Sequence, residues 1–323
     1  MTAYTAAFDW ARRHVGDGRL PNAVLGIADA DGTVALESFG GVPVDASYPL
    51  FSITKILTGI TATRAIERGL LTPNTPLADA VPGFGSTRDD VVRLWHLGSH
   101  SSGISEPPLD TAVPLAEELV TRGRDFRAGA ASRYSTLAYT GIAALYEHAT
   151  GQAWDAGVAE WASTIGADGL TLDPDEHVPV EGAREAGLDV EQFVANRDPG
   201  AGLFARAEDL LLLGSDLLRT LRDGTPGVLT PAGLDFMRRP VTQGMARLEP
   251  YPLERGQDWG FTVNLRNHAP GLISTDGFGH GGWAGTEFYV HPEHGVAWVL
   301  LTAKAGRVGM DTDQLDNAVV AGV

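Results

Sequence analysis

Strand-forming segments stand at the two ends of this chain and helical segments fill its middle, which limits the available folds more than any other feature. Near the N-terminus, Ala23 to Ala30 and Thr33 to Phe39 read as strands joined at Asp31-Gly32, a dipeptide suited to a tight hairpin turn. Near the C-terminus, Trp259 to Leu265, Trp283 to Val290 and Val296 to Thr302 have strand character, the last two separated by His291-Pro292-Glu293-His294-Gly295. Between them, apolar spacing predicts helices over Ser52 to Arg68, Asp89 to Leu97, Pro114 to Arg122, Thr136 to Ala149, Ala153 to Ile165 and Ala207 to Leu221. A first helix over residues 2–15 precedes the hairpin, and Val178 to Val180 is a short candidate strand. Strands so far apart can share a sheet only if the chain ends meet. The expected class is therefore α+β, an antiparallel sheet built from both chain ends with flanking helices and a mostly helical insertion. Residues 1–60 and 235–323 form the expected sheet region and 61–234 the helical region; no repeat or linker divides residues 1–323, so they read as one unit.

Charge narrows the partners. The chain has 24 Lys and Arg against 41 Asp and Glu, a formal net charge of −17. A field of that sign repels phosphate backbones and anionic lipid heads, so neither nucleic acid nor a membrane is an expected partner. With no cysteine, disulfide frameworks, thiol nucleophiles and thiolate metal sites are excluded. The first residues lack the uninterrupted apolar core of a secretory signal, and the expected location is cytoplasmic. Lysine occurs only at Lys55 and Lys304, and neither lies in the glycine-rich context of a phosphate-binding loop. Lys55 stands out, because lysine is the cation whose pKa burial can lower enough to make a base.

Lys55 closes the segment Ser52-Ile53-Thr54-Lys55 at the start of a helix. Residues three apart share a helical face with Cβ atoms about 5 to 6 Å apart, so the amine can reach the hydroxyl. The positive end of the helix also disfavours a protonated lysine. The plain alternative is a serine N-cap followed by a solvated lysine. Two further segments accompany it in order, Tyr134-Ser135-Thr136 before a helix and His280-Gly281-Gly282-Trp283 before a strand. Tyr134 alone could be packing and Thr136 a cap. The pairs His96/His100 and His291/His294 have spacings open to metal but no evident carboxylate ligand, so no metal is expected. Gly277 to Gly282 satisfies G-x-G-x-x-G but leads into a strand, against a dinucleotide site, and no cofactor is expected.

The three ordered segments resemble those of the serine β-lactamase and penicillin-binding-protein superfamily, particularly class C β-lactamases, family VIII esterases and related transacylases. That superfamily uses S-x-x-K, then Y-x-N, then K-T-G or H-x-G. Leu97-Gly98-Ser99-His100-Ser101-Ser102-Gly103-Ile104, Ala201-Gly202-Leu203-Phe204 with Ala207-Glu208-Asp209-Leu210, and Gly285-Thr286 before Phe288-Tyr289-Val290 resemble further segments of it. The resemblance implies a β-lactamase/transpeptidase-like fold forming a single catalytic unit. It implies that Ser52 is the acylated nucleophile, Lys55 its proton acceptor and Tyr134 a proton relay. The backbone N–H groups of Ser52 and Trp283 would form the oxyanion hole, and Thr136, His280, Gly281, Gly282 and Trp283 would bind substrate. Two departures, Thr136 for the asparagine and Gly281 for the threonine, point away from penicillins. The expected function is a serine hydrolase or acyltransferase working through acyl-Ser52 on a small ester, thioester or amide, with a second, acceptor substrate left open. The alternatives are a true β-lactamase or D-amino-acid peptidase, and a noncatalytic ligand-binding relative.

Overall fold

Seven strands drawn from opposite ends of the chain pair into one antiparallel sheet. The computed structural model describes residues 3–248, 257–269, 271–307 and 309–323. In chain order the strands are β1 (Ala23–Asp29), β2 (Gly32–Phe39), β3 (Tyr48–Pro49), β4 (Ala131–Ser132), β5 (Phe204–Ala205) and β6 (Ala246–Arg247). They continue with β7 (Asp258–Trp259), β8 (Asn264–Leu265), β9 (Phe278–Gly281), β10 (Glu287–His291) and β11 (Val296–Leu301). The large sheet runs β2-β1-β11-β10-β9-β8-β7. Its seam is β1 against β11, in register from Val24 opposite Leu301 to Ala28 opposite Ala297. The α+β class read from the segregated pattern is the one observed.

The helices are α1 (Thr5–Gly16), α2 (Thr54–Glu67), α3 (Leu94–Gly98), α4 (Leu115–Thr121) and α5 (Ala138–Thr150). After them come α6 (Trp154–Thr164), α7 (Val190–Ala195), α8 (Ala207–Asp223), α9 (Pro231–Arg238) and α10 (Thr312–Val320). Every residue of β11 is buried, because both faces of the sheet are covered. Trp298 and Leu300 pack with Trp10 of α1 and Leu315 of α10, while Ala297, Val299 and Leu301 join the larger core that holds α2, α5 and α8. Close approach of α8 depends on glycine: a Cβ at Gly26 would lie 2.5 Å from Leu211, and one at Gly214 would lie 2.6 Å from Ala297. Among the described residues no helix is long and apolar enough to cross a membrane.

Several expected elements change where local hydrogen bonding overrides apolar pattern. Trp259 to Leu265 is two strands, not one: Gly260 donates to Val263 O at 3.0 Å, and Thr262 has φ +64° and donates its N–H to Gly98 O at 2.7 Å. Trp283 is not in a strand. It sits in the turn between β9 and β10, closed by Gly282 N–H to Thr286 O at 2.6 Å and Gly285 N–H to Gly282 O at 3.0 Å. The helix over Asp89 to Leu97 shrinks to Leu94–Gly98, because Asp90 accepts from Arg88 and from the N–H of Ala128 and so holds that stretch in a loop. Val178 to Val180 joins no ladder, although Val178 donates to Ser47 O at 2.9 Å.

Candidate active site

The nucleophile turn is held in a conformation that side chains disfavour. Phe51 has φ +47°, and its ring is anchored by stacking on Phe193 at 4.8 Å and against Trp283 at 5.5 Å. Left-handed backbone at a bulky residue costs of order 1–3 kcal/mol and persists where surrounding packing dictates it. The consequence is a 3₁₀ turn over Phe51–Ile53 that runs directly into α2. Ser52 is therefore not the helix cap, since Ile53 occupies that position with no side-chain cap hydrogen bond. The Ser52 hydroxyl meets Lys55 Nζ at 3.2 Å and accepts from Tyr134 Oη at 2.6 Å instead.

Lys55 is wholly buried. Its amine donates to Gly200 O at 2.8 Å and lies 3.2 Å from Thr136 Oγ1. Burial lowers its pKa to about 8, against the opposing pull of the Asp198 and Glu106 carboxylates. The ammonium can donate to Gly200 O, Thr136 Oγ1 and Ser52 Oγ, and once it loses a proton the amine has a lone pair to accept the Ser52 proton. Thr136, expected to contact substrate, is thus also a partner of the lysine.

Tyr134 stands in the loop before α5, with its ring packed against His100 at 4.4 Å and Trp259 at 5.6 Å. His280, in β9, holds Nε2 3.5 Å from Tyr134 Oη and Nδ1 2.7 Å from Gly281 O. Burial, and then the charge of Lys55, lowers the His280 pKa to about 3, so the ring is neutral near pH 7. With its Nδ1 proton given to the carbonyl, Nε2 is an acceptor facing the phenol.

The strand edge approaches the nucleophile turn through Gly282. A Cβ there would run into Thr286 Oγ1 and come within 2.5 Å of Leu50 O, the carbonyl that accepts from Thr286 Oγ1 at 3.0 Å. At Gly281 a Cβ would meet Glu287 Oε2 at 2.6 Å, so a side chain there requires the Glu287 carboxylate to shift. Among the described residues no carbonyl accepts from the N–H of Ser52 or of Trp283. Ser52, Tyr134, Thr136, His280, Gly281, Gly282 and Trp283 all line one cleft of about 560 Å³, and Lys55 lies beneath its floor.

Three acidic contributors, Glu106, Asp198 and Glu287, were not singled out in the sequence. Glu106 accepts from Thr136 N–H at 2.7 Å and Ser135 Oγ at 2.8 Å, pinning the loop that carries Tyr134. Asp198, buried, accepts from Gly200 N–H at 2.7 Å and so orients the carbonyl that receives Lys55. Burial raises the Asp198 pKa to about 6. Glu287 and Trp259 complete the cleft wall. The available signal was proximity in sequence: Glu106 follows the Leu97 to Ile104 segment, and Asp198 precedes Ala201-Gly202-Leu203-Phe204. Of the histidines weighed for metal, His96 accepts from Arg93 N–H at 2.9 Å, His100 accepts from Ser135 N–H at 3.1 Å and His291 Nε2 lies 2.6 Å from Asp316.

Comparison with known proteins bears on the fold and the family. The chain is 27% identical over 293 residues to penicillin-binding protein 4 of Amycolatopsis lactamdurans, covering 81% of this chain and 73% of that protein. Among solved structures, a penicillin-binding-protein homologue from Caulobacter crescentus superposes with a TM-score of 0.80 at 20% identity, covering 99% of this chain and 97% of the other. EstCE1, a hydrolase with promiscuous acyltransferase activity, superposes with a TM-score of 0.73 at 20% identity, covering 98% and 97%. These likenesses establish a β-lactamase/transpeptidase-type fold. The Beta-lactamase family model matches residues 8–322, nearly the whole length, and with its fold and the Ser52, Lys55 and Tyr134 arrangement in place the chain belongs to the Beta-lactamase family.

Proposed function

We propose that the protein is a serine hydrolase that also transfers acyl groups, acting on small esters, thioesters or amides through an acyl-Ser52 intermediate. The observation that carries this reading is the convergence of Lys55 Nζ and Tyr134 Oη on Ser52 Oγ at an open cleft. Ser52 Oγ attacks the acyl carbon and passes its proton to the neutral amine of Lys55. The carbonyl oxygen gains negative charge, which the N–H groups of Ser52 and Trp283 stabilise. As the tetrahedral adduct collapses, the bond to the leaving atom breaks and Tyr134 Oη supplies its proton. Water or an alcohol then attacks the acyl-serine with the same groups working in reverse.

Turnover depends on the neutral form of Lys55. Acylation by p-nitrophenyl acetate is expected to rise about tenfold per pH unit below the Lys55 pKa of about 8 and to level off above it. The Asp198 carboxylate favours the ammonium, so removing its charge lowers that pKa further. Asp198→Asn should therefore move the midpoint down by about one unit. A midpoint that stays in place or rises would remove Lys55 as the base or Asp198 as its modulator.

The acceptor is tested by product analysis. Hydrolysis is the basal reaction, and the resemblance in fold to EstCE1 supports transfer as a second outcome. Trp283, Leu109 and Met310 line the same cleft and offer an apolar face to an alcohol. With rising alcohol concentration, total p-nitrophenol release should rise and free-acid yield should fall, both saturably. An acid yield that stays constant across a broad alcohol and amine panel limits the protein to hydrolysis.

A further inference from the structure

We infer that Arg307 is a positioning residue for the oxyanion hole, holding the turn that presents the Trp283 N–H; this rests on the acyl-enzyme reading above. The turn between β9 and β10 contains three successive peptide planes, each tied at one end. In a trans peptide the carbonyl and the N–H point in opposite directions, so holding one aims the other. The Gly282–Trp283 plane is held by its carbonyl, because Gly282 O accepts from Gly285 N–H at 3.0 Å. Its other end is the Trp283 N–H, which is thereby turned away from the inside of the turn. The Trp283–Ala284 plane is held by Arg307 Nη1, which donates to Trp283 O at 2.9 Å. The Ala284–Gly285 plane is held by the N–H of Lys304, which donates to Ala284 O at 2.9 Å, and its own N–H is the one that Gly282 O accepts. The oxyanion donor is thus aimed by a chain of bonds in which Arg307 supplies a side-chain link.

Arg307 also ties this turn to the chain that follows β11. The same Nη1 donates to Lys304 O at 2.8 Å, so one nitrogen bridges two carbonyls from separate segments. Gly285 makes the contact possible: it has φ +97°, and a Cβ there would lie 2.7 Å from Arg307 Cδ and Nε. The guanidinium therefore packs on bare backbone at the corner of the turn. Leu50 O anchors the other side of the turn, accepting from Thr286 Oγ1 at 3.0 Å just ahead of Phe51 and Ser52. Both proposed donors are in this way referred to one frame, the Ser52 N–H by the nucleophile turn and the Trp283 N–H by the Arg307 clamp. Placement matters because an oxyanion donor acts only when it already stands at hydrogen-bond distance from where charge develops.

The test measures kcat/KM for p-nitrophenyl acetate and the affinity of phenylboronic acid in Arg307→Met. A lone pair of Ser52 Oγ adds to boron and its proton passes to Lys55, giving a tetrahedral boronate anion that draws on the oxyanion hole as the reaction does. Losing one such donor outright costs about 10² to 10³ in rate, so displacing it should lower both quantities tenfold or more, in parallel. Acetanilide titrated calorimetrically into Ser52→Ala protein should bind within threefold of its original affinity after Arg307→Met is added, because a donor aimed at developing charge contributes little to the ground state. Arg307→Lys, which keeps the charge and a donor, should recover part of the loss. Arg307 lines the cleft, and added NaCl separates placement of the donor from a direct effect of the cation: the loss in Arg307→Met should persist in salt. Parent-level boronate affinity in Arg307→Met, a loss that disappears in NaCl, or an equal loss in acetanilide binding overturns the inference. Should Arg307→Met not fold, Gly285→Ala displaces the guanidinium from the other side and should give the same parallel loss; parent-level values there overturn the inference. Intact mass after p-nitrophenyl acetate tests the acyl-enzyme reading apart. Acyl-Ser52 in the parent with parent-level values in Arg307→Met overturns this inference alone, and a parent protein that forms no acyl-Ser52 overturns both.

Discussion

Ser52→Ala should reduce p-nitrophenyl acetate turnover to solvent background and leave no acyl adduct in an intact-mass spectrum, while the thermal midpoint moves by only a few degrees. The side chain is a part-buried hydroxyl whose partners are Lys55 and Tyr134, and it caps no helix. Its loss therefore removes the nucleophile without removing core packing. Lys55 demands a different substitution. It is fully buried, so alanine would leave a cavity of the kind that costs about 2 to 5 kcal/mol. Lys55→Met keeps most of the volume, removes the proton acceptor, and relieves the burial of an ionisable amine. Acylation should be abolished in Lys55→Met and stability equal or higher. Parent-level adduct formation in either variant would end the Ser52–Lys55 assignment.

Tyr134→Phe should lower kcat/KM by about 10² to 10⁴, the usual range for positioned acid–base help. The ring keeps its contacts with His100 at 4.4 Å and Trp259 at 5.6 Å and its place under the Lys55 amine at 4.7 Å. What disappears is the phenol proton, 2.6 Å from Ser52 Oγ. The loss should depend on the leaving group. p-Nitrophenolate departs without protonation, whereas an alkoxide does not, so an alkyl ester should suffer the larger decrease. Equal losses for a p-nitrophenyl and an ethyl ester of the same acid would show that Tyr134 does not protonate the leaving atom.

How legible these parts were in the sequence follows the range of the forces involved. Asp31-Gly32 signals a hairpin because backbone conformation at a few residues decides it, and β1 and β2 do pair, although the turn falls one residue earlier, over Ala30-Asp31, with Asp29 opposite Gly32. The three-residue step from Ser52 to Lys55 likewise settles which side chains can meet, since helical geometry is local. The segregation of strands and helices carried the fold class, and the order of the three motifs carried the family resemblance. Packing decided the rest. Trp283 left its expected strand because the N–H groups of Gly282 and Gly285 close a local turn, which Thr286 ties to the nucleophile segment by donating to Leu50 O, a contact between residues far apart in the chain. Thr262, with φ +64°, broke another expected strand by donating to Gly98.

The chemistry of the site was less legible still, because charge and solvation are collective. Nothing within Ser52-Ile53-Thr54-Lys55 reveals that the lysine is sealed from water beneath Thr136 and Gly200, yet that burial is what lowers its pKa. Glu106 and Asp198 follow no periodic pattern, and each acts on groups brought from other segments, Glu106 on the N–H of Thr136 and Asp198 on the charge of Lys55. The sequence by itself determined the local turns, the helical register of the nucleophile and its base, and the order of the motif segments. Only the tertiary structure decided the burial that lowers the Lys55 pKa and the placement of Tyr134 on Ser52, because desolvation and electrostatic fields depend on distances across the whole folded chain.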